Sequence, residues 1–166
     1  MLSRTSMPSP VGRLTIVASD DGIRSIHWDG DELGPESPSD GDASAARRVA
    51  LLADAVRQLG EYFAGARTEF DLPLDPQGTS FQLSAWDVLR DIPYGSTVSY
   101  AHQARRLGDV RKSRAVGAAN GRNPIAIVVP CHRVVGSDGS LTGFGGGIES
   151  KAWLLDHEQR VIAGAI

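Results

Sequence analysis

The segment Pro76-Gln77-Gly78 separates two halves of different patterning, and that division constrains the fold more than any other feature of the chain. Before it, Leu14-Thr15-Ile16-Val17-Ala18 and Ile23-Arg24-Ser25-Ile26-His27-Trp28 are short β-branched runs joined by Ser19-Asp20-Asp21-Gly22, a strong hairpin signal. Apart from Leu33, residues 29–42 are glycine, proline, serine and acid, the composition of an exposed loop. Over 43–63, Val49, Leu52, Val56, Leu59 and Phe63 fall three or four residues apart, which predicts an amphipathic helix ending near Gly65. Residues 70–75 read as one more edge strand, since proline forbids central pairing. A small α/β unit of sheet plus helix is expected over 1–75.

Residues 76–166 are expected to be mainly helical. Thr79 or Ser80 caps a helix running to about Arg90, and Ile92-Pro93-Tyr94-Gly95 stops it. A second helix is predicted over 98–107, a turn at Gly108-Asp109, and a third helix over 111–121 that carries basic residues. This is a helix-turn-helix pattern, although many proteins with such a pattern never touch DNA. Ile125-Ala126-Ile127-Val128-Val129, set between Pro124 and Pro130, reads as a short, fully buried strand-like segment that delivers Cys131 from the interior. A glycine-rich loop over 136–147 leads to a last helix over 150–159, capped by Ser150 or Glu149 and anchored by Leu154 and Leu155.

The 166 residues suffice to bury a core without covalent staples. With one cysteine, no internal disulfide forms, and no cysteine cluster exists to hold a structural zinc. No signal-peptide stretch and no run approaching the roughly 20 apolar residues of a membrane span is present, so a cytoplasmic protein is expected. The net charge of −3 is unevenly spread. Between Tyr100 and Arg133, seven basic residues (Arg105, Arg106, Arg111, Lys112, Arg114, Arg122, Arg133) meet a single acid, Asp109, for +6, which leaves −9 elsewhere. One basic strip on an acidic chain suits a protein that meets phosphate on one face.

Cys131 is followed by His132 and Arg133, and Glu158 lies in the last helix. A thiol attacks as thiolate, so it needs a base or a positive charge beside it. Histidine takes the proton directly or through water, and a carboxylate orients the imidazole and stabilises its charged form. Cys131, His132 and Glu158 supply the three roles. Against this stands the commoner fate of a lone cysteine after an apolar run, a small core residue. What favours reactivity is the setting, with Pro130 fixing the chain before the thiol and a glycine-rich loop after it that lets a planar group approach the backbone.

The stretch from Arg114-Ala115-Val116-Gly117-Ala118-Ala119 through Asn123-Pro124 to Pro130-Cys131-His132-Arg133-Val134-Val135 closely resembles the O6-alkylguanine-DNA alkyltransferases. The resemblance extends to Ile92-Pro93-Tyr94-Gly95, Ser99-Tyr100, Gly143-Phe144-Gly145-Gly146-Gly147 and Lys151-Ala152-Trp153-Leu154-Leu155-Asp156-His157-Glu158. It is strong over 76–158 and loose at Ser9-Pro10-Val11-Gly12-Arg13-Leu14. It implies an RNase H-like N-terminal domain over 1–75 and a DNA-binding, catalytic domain over 76–166. The implied activity is stoichiometric transfer of a methyl or larger alkyl group from O6 of guanine, and from O4 of thymine, to Cys131, a self-inactivating reaction with no cofactor.

Carried onto this chain, the resemblance makes His132 the water-mediated base and Glu158 its orienting carboxylate. Asn123 becomes a hinge that ties the helix-turn-helix to the active-site segment, though an asparagine before proline also simply ends a helix. Arg114 matches the arginine finger that enters the base stack after the nucleotide is flipped. Tyr100 matches the tyrosine that pushes on the phosphate and donates a proton to guanine N3. Ala115, Gly117 and Ala118 make one side of the third helix small, which suits minor-groove approach better than base-edge reading in the major groove. The implied pocket is lined by Tyr100, Val134, Phe144 and the backbone of Gly143 and Gly145. Ser137 is a candidate phosphate contact. Some members hold zinc in the N-terminal domain through cysteine and histidine ligands, and this chain has no cysteine there, so no metal is expected. The expected partner is double-stranded DNA bound with little sequence preference by a protein monomeric in solution; cooperative assembly on DNA is left open.

Two rivals are distinguishable. A non-enzymatic relative that flags alkylated DNA lacks the reactive cysteine, and this chain has it. A thiol hydrolase with a Cys-His-Glu site needs neither Arg114 nor Tyr100.

Overall fold

A computed structural model describes residues 1–28 and 42–166, so the loop expected over 29–42 lies outside the described residues except for Asp42. The chain forms two units, Met1–Gln77 and Gly78–Ile166.

The first unit is a three-stranded antiparallel sheet with a helix against it. Strands β1 (Ser3–Met7), β2 (Leu14–Ala18) and β3 (Ile23–His27) lie in sequence order, and the expected hairpin joins β2 to β3 through the Ser19 N–H bond to Gly22 O at 2.8 Å. The central strand β2 is buried along its whole length. Sequence patterning missed β1 because Ser3-Arg4-Thr5-Ser6-Met7 is mostly polar; backbone pairing to β2 makes it a strand. Helix α1 (Ala43–Phe63) follows the predicted span, opened by Asp42, whose carboxylate accepts the Ala45 N–H at 3.0 Å. It ends where Gly65 adopts φ +77° and the Ala66 N–H bonds back to Glu61 O. Its buried face is Ala45, Arg48, Leu51, Leu52, Ala55, Gln58, Leu59 and Tyr62, so the stripe is turned from the expected one, and Val49, Val56 and Phe63 are only half-buried. The edge strand expected over 70–75 reduces to one parallel bridge, Leu74 to Ile23. Ile23 donates to Pro73 O and accepts from the Asp75 N–H, both at 2.8 Å, and the prolines at 73 and 76, which have no N–H, carry the ladder no further.

In the second unit, Thr79 opens α2 (Ser80–Leu89) with a capping box, its side chain accepting the Gln82 N–H at 3.1 Å while Gln82 Oε1 accepts the Thr79 N–H at 2.9 Å. The helix expected over 98–107 is shorter. Val98–Ser99 instead forms β4, parallel to β5 (Val134–Val135), and Ser99 caps α3 (Tyr100–Arg106) by accepting the His102 N–H at 3.1 Å. Gly108, at φ +96°, and a 3-10 turn over Val110–Lys112 lead into α4 (Ser113–Gly121). Buried polar bonds lock α2, α3 and α4 together. Gln103 and Asn120 exchange amide hydrogen bonds at 2.9 and 2.7 Å, Gln103 also donates to Ala85 O, and Trp86 Nε1 donates to Ala119 O at 2.8 Å.

The 125–129 run is mostly buried as expected, but beyond a single bridge residue at Ile125 it is a succession of turns and not a continuous strand. Val128 bonds to Ala126 O, Val129 to Ile125 O, and Ile127 takes φ +74°, an uncommon value for a β-branched residue. The physical reason is supply of partners: past Ile125, local bonds and the Asn123 amide, which accepts the Ile125 N–H and donates to Val129 O at 2.8 Å, satisfy backbone groups that a continuous strand would pair with a neighbour. The last helix, α5 (Ile148–Ile162), is longer at both ends than expected. Its N-cap is Gly147 at φ +90° with no side-chain bond, not Ser150 or Glu149; Glu149 lies in the first turn, where its charge favours the helix dipole. Leu154 is fully buried and Leu155 half-buried. Among the described residues no helix is long and apolar enough to cross a membrane.

Candidate active site

The turns after Pro124 deliver residues 131–133 as a single 3-10 turn whose three side chains are all buried. Cys131 keeps 8% of its surface exposed, and His132 none. The imidazole Nε2 lies 2.7 Å from Oε2 of Glu158 on α5. Glu158 is held from three further directions: Arg133 Nε donates to Oε1 at 2.9 Å, Arg133 Nη2 to Oε2 at 3.1 Å, and the Gly95 N–H to Oε1 at 2.9 Å. Arg133 is fixed in turn by donating to Ile92 O at 2.8 Å.

The protonation states follow from this packing. Burial works to raise the Glu158 carboxyl, but the hydrogen bonds and charges of His132 and Arg133 overcome it and bring the group down to about 2. An ionised carboxylate only accepts, so Nε2 of His132 carries a proton and donates it. Burial pushes the His132 imidazole below its ordinary value, despite Glu158, so near neutral pH it is uncharged with a bare Nδ1. That Nδ1 is buried and has no hydrogen-bond partner among the described residues. Burial also pushes the Cys131 thiol up, opposed by a hydrogen bond from the Asn123 side chain and by the charge of Lys151. The resting arrangement is therefore a protonated thiol, a neutral imidazole with an open lone pair, and a fixed carboxylate behind it.

Both His132 and Glu158 bind protons less readily in the folded chain than at their ordinary values of 6.5 and 4.5, so their stabilising effect is present above those values and is lost as pH falls. The Glu158 shift alone corresponds to about 3 kcal/mol. The melting temperature should stay level between pH 7 and about 8, decline below about 6.5, and decline further from 4.5 toward 2. A melting temperature unchanged between pH 7 and 4 would contradict this account.

An open cleft of about 400 Å³ is lined by Tyr100, Ser113, Arg114, Gly117, Thr142 and Gly143. Tyr100 starts α3, while Arg114 and Gly117 lie on α4. Arg114 is exposed and has no ion-pair partner among the described residues. A Cβ on Gly117 would sit 3.8 Å from the Tyr100 ring, an ordinary contact, so the glycine leaves room and avoids no clash. Tyr100 and Gly143, expected in the pocket, both line this cleft; Val134, Phe144 and Gly145 are not among its lining residues. Val134 is fully buried in β5, Phe144 is half-buried and Gly145 exposed. Ala115 is exposed on α4, outside the lining. Ser137 is exposed in the turn closed by the Gly136 N–H to Ser140 O bond, beside the carboxylate of Asp138.

The basic strip is thinner than its sequence count. Arg133 turns inward to Glu158, Arg106 pairs with Asp91 at 2.8 Å and Arg111 with Asp109 at 3.0 Å. Sequence reading also missed four participants: Arg133 as a Glu158 partner, the Gly95 N–H, Thr142, and Lys151, which is 1% exposed and donates to Thr142 O at 2.9 Å. A long buried cation whose partner is a backbone carbonyl in a loop leaves no periodic signature. Among the described residues no group of three or more His, Cys, Asp or Glu is placed to hold a metal ion.

Comparison with known proteins identifies the family of the chain. Residues 80–160 match the family described as 6-O-methylguanine DNA methyltransferase, DNA binding domain, and residues 2–76 match its ribonuclease-like domain. A methylated-DNA--protein-cysteine methyltransferase of Mycolicibacterium paratuberculosis is 44% identical over 96% of this chain and 94% of its own. The crystal structure of the Mycobacterium tuberculosis O6-methylguanine methyltransferase is 42% identical, superposes with a TM-score of 0.81 and covers 96% of this chain and 93% of its own. A crystal structure of Mycobacterium tuberculosis OGT in complex with DNA is likewise 42% identical, with a TM-score of 0.79 over 95% of this chain and 93% of its own. The chain belongs to the 6-O-methylguanine DNA methyltransferase family.

Proposed function

We propose that this chain repairs alkylated DNA by direct reversal: Cys131 takes a methyl or larger alkyl group from O6 of guanine, or O4 of thymine, and keeps it. The observation that carries the reading is a buried Cys131 thiol next in the chain to a neutral His132 imidazole, whose Nε2 donates to the ionised, buried carboxylate of Glu158. The thiol proton passes to Nδ1 of His132 through a water, and the imidazolium is stabilised by Glu158 at Nε2. As the S–C bond forms, the C–O bond breaks and its electron pair goes to O6 of guanine. The base receives a proton at N3 from Tyr100, and the imidazolium proton returns to the phenolate through solvent. One proton leaves the thiol and one stays on the base. The thioether has no leaving group to release it, so each molecule acts once.

DNA as partner is supported by the 42% identical relative crystallised with DNA. In this reading residues 1–75 and 76–166 are separate domains, and α3 with α4 forms a helix-turn-helix set into the minor groove. Exposed Ala115 and the small Gly117 favour close approach there. Arg114, exposed at the cleft edge, fills the gap left by the flipped nucleotide, whose unstacking costs on the order of a few kcal/mol. Asn123 ties the turn segment to Cys131 by its two backbone bonds, and Val134, Phe144 and Gly145 complete the pocket when a base is bound. Ser137 touches phosphate. The protein acts as a monomer, with phosphate contacts that read little sequence.

Incubation with a duplex carrying labelled O6-methylguanine should place one equivalent of label on Cys131. Catalytic release of label, or intact binding without transfer, would overturn the proposal. Arg114→Ala should slow repair in duplex by on the order of tenfold or more, since the unstacked state loses its plug, yet leave reaction with free O6-alkylated guanine unchanged. Equal losses on both substrates would refute the finger role.

A further inference from the structure

The hydroxyl of Tyr100 lies 3.0 Å from Oγ1 of Thr142 at the cleft, and the Thr142 carbonyl is held at 2.9 Å by Nζ of the buried Lys151. The same ammonium sits 5.9 Å from the Tyr100 ring centroid. The phenol is 3.5 Å from the Thr142 carbonyl, too long for a good O–H···O bond, so Oγ1 is its effective partner. At the ring edge Gly117 offers no side chain to compete.

From this geometry we infer that Thr142, anchored by Lys151, is a positioning residue for Tyr100: its hydroxyl donates to the phenolic oxygen and turns the phenol's proton into the cleft. A phenol that accepts from Thr142 keeps its own O–H free to donate to the base. The same bond stabilises the phenolate once that proton has gone to guanine N3, until the His132 imidazolium restores it through solvent. Lys151 supplies the rigidity. Its stem is packed in the interior and its head fixes the backbone of an otherwise exposed residue, so Oγ1 meets the phenol without an ordering cost when DNA arrives. This inference rests on the proposed role of Tyr100 as proton donor.

Thr142→Val removes the hydroxyl and keeps the shape and the carbonyl at an exposed position, so folding is spared. Transfer from duplex O6-methylguanine in single-turnover conditions should fall on the order of fivefold in Thr142→Val, the cost of one hydrogen bond, and stay at the parent rate in Thr142→Ser. On a Tyr100→Phe background, Thr142→Val should cost nothing further; an equal loss there would overturn the inference. The ¹³Cζ resonance of Tyr100, identified by its disappearance in Tyr100→Phe, should shift in Thr142→Val and in Lys151→Met but not in Thr142→Ser. A resonance that stays in place in Thr142→Val overturns the contact itself. If Tyr100→Phe transfers as fast as the parent while the resonance still shifts, the proton-donor role of Tyr100 fails and the Thr142 contact stands.

Discussion

Cys131→Ser is expected to reduce alkyl transfer by on the order of 10⁴-fold or more while binding to alkylated duplex stays nearly unchanged. The hydroxyl replaces the thiol in a site where burial already pushes the native group toward its protonated form, and His132, kept neutral, is too weak a base to ionise an alcohol. The loss falls on the chemical step. Arg114, Tyr100 and Gly117 line a cleft that the substitution does not touch, and Cys131 is not among its lining residues. Label incorporation measured beside a gel-shift titration separates the two effects. Collapse of binding together with transfer would show that Cys131 is a packing residue, the commoner fate of a lone buried cysteine.

Glu158→Gln should damage both stability and chemistry. The carboxylate accepts from His132, Arg133 and the Gly95 N–H with only 1% of its side chain exposed. An amide keeps the shape but leaves the Arg133 guanidinium without a counter-charge in the interior, and removing one partner of such a pair costs about 3–5 kcal/mol. For a chain of this size that lowers the melting temperature by on the order of 10 °C. Transfer should slow about 10²- to 10⁴-fold, because the imidazolium formed when the thiol gives up its proton is no longer stabilised and the Nε2–H tautomer is no longer enforced. The pH dependence of stability below 4.5 should flatten in the same variant. A variant that melts with the parent would remove the energetic role assigned to the cluster, and one that transfers at the parent rate would remove the base.

Most of the helices were legible because they depend on local chemistry. Asp42 and Thr79 each present an oxygen to an orphan N–H at a helix start, and Gly65 supplies the left-handed residue at the end of α1. The misreadings lie where backbone pairing is non-local. Ser3–Met7 becomes a strand only because β2 is there to receive it, and Val98–Ser99 leaves the helix only because Val134–Val135 runs alongside. The apolar 125–129 run pointed correctly to burial but not to conformation, since hydrophobicity says that a segment is inside and nothing about which groups satisfy its N–H and C=O.

For the proposed site, the sequence put Cys131 beside His132, and the fold brings His132 to Glu158 on the final helix. What only the tertiary structure decided is which groups share a proton or a charge: that Arg133 leaves the basic strip to lock Glu158, that Nδ1 of His132 is the open nitrogen, and that buried Lys151 reaches Thr142 beside Tyr100. By itself the sequence determined the reactive residue types and their order along the chain. Their ionisation states came from desolvation and from partners up to 26 positions away, which exist only once the chain is folded.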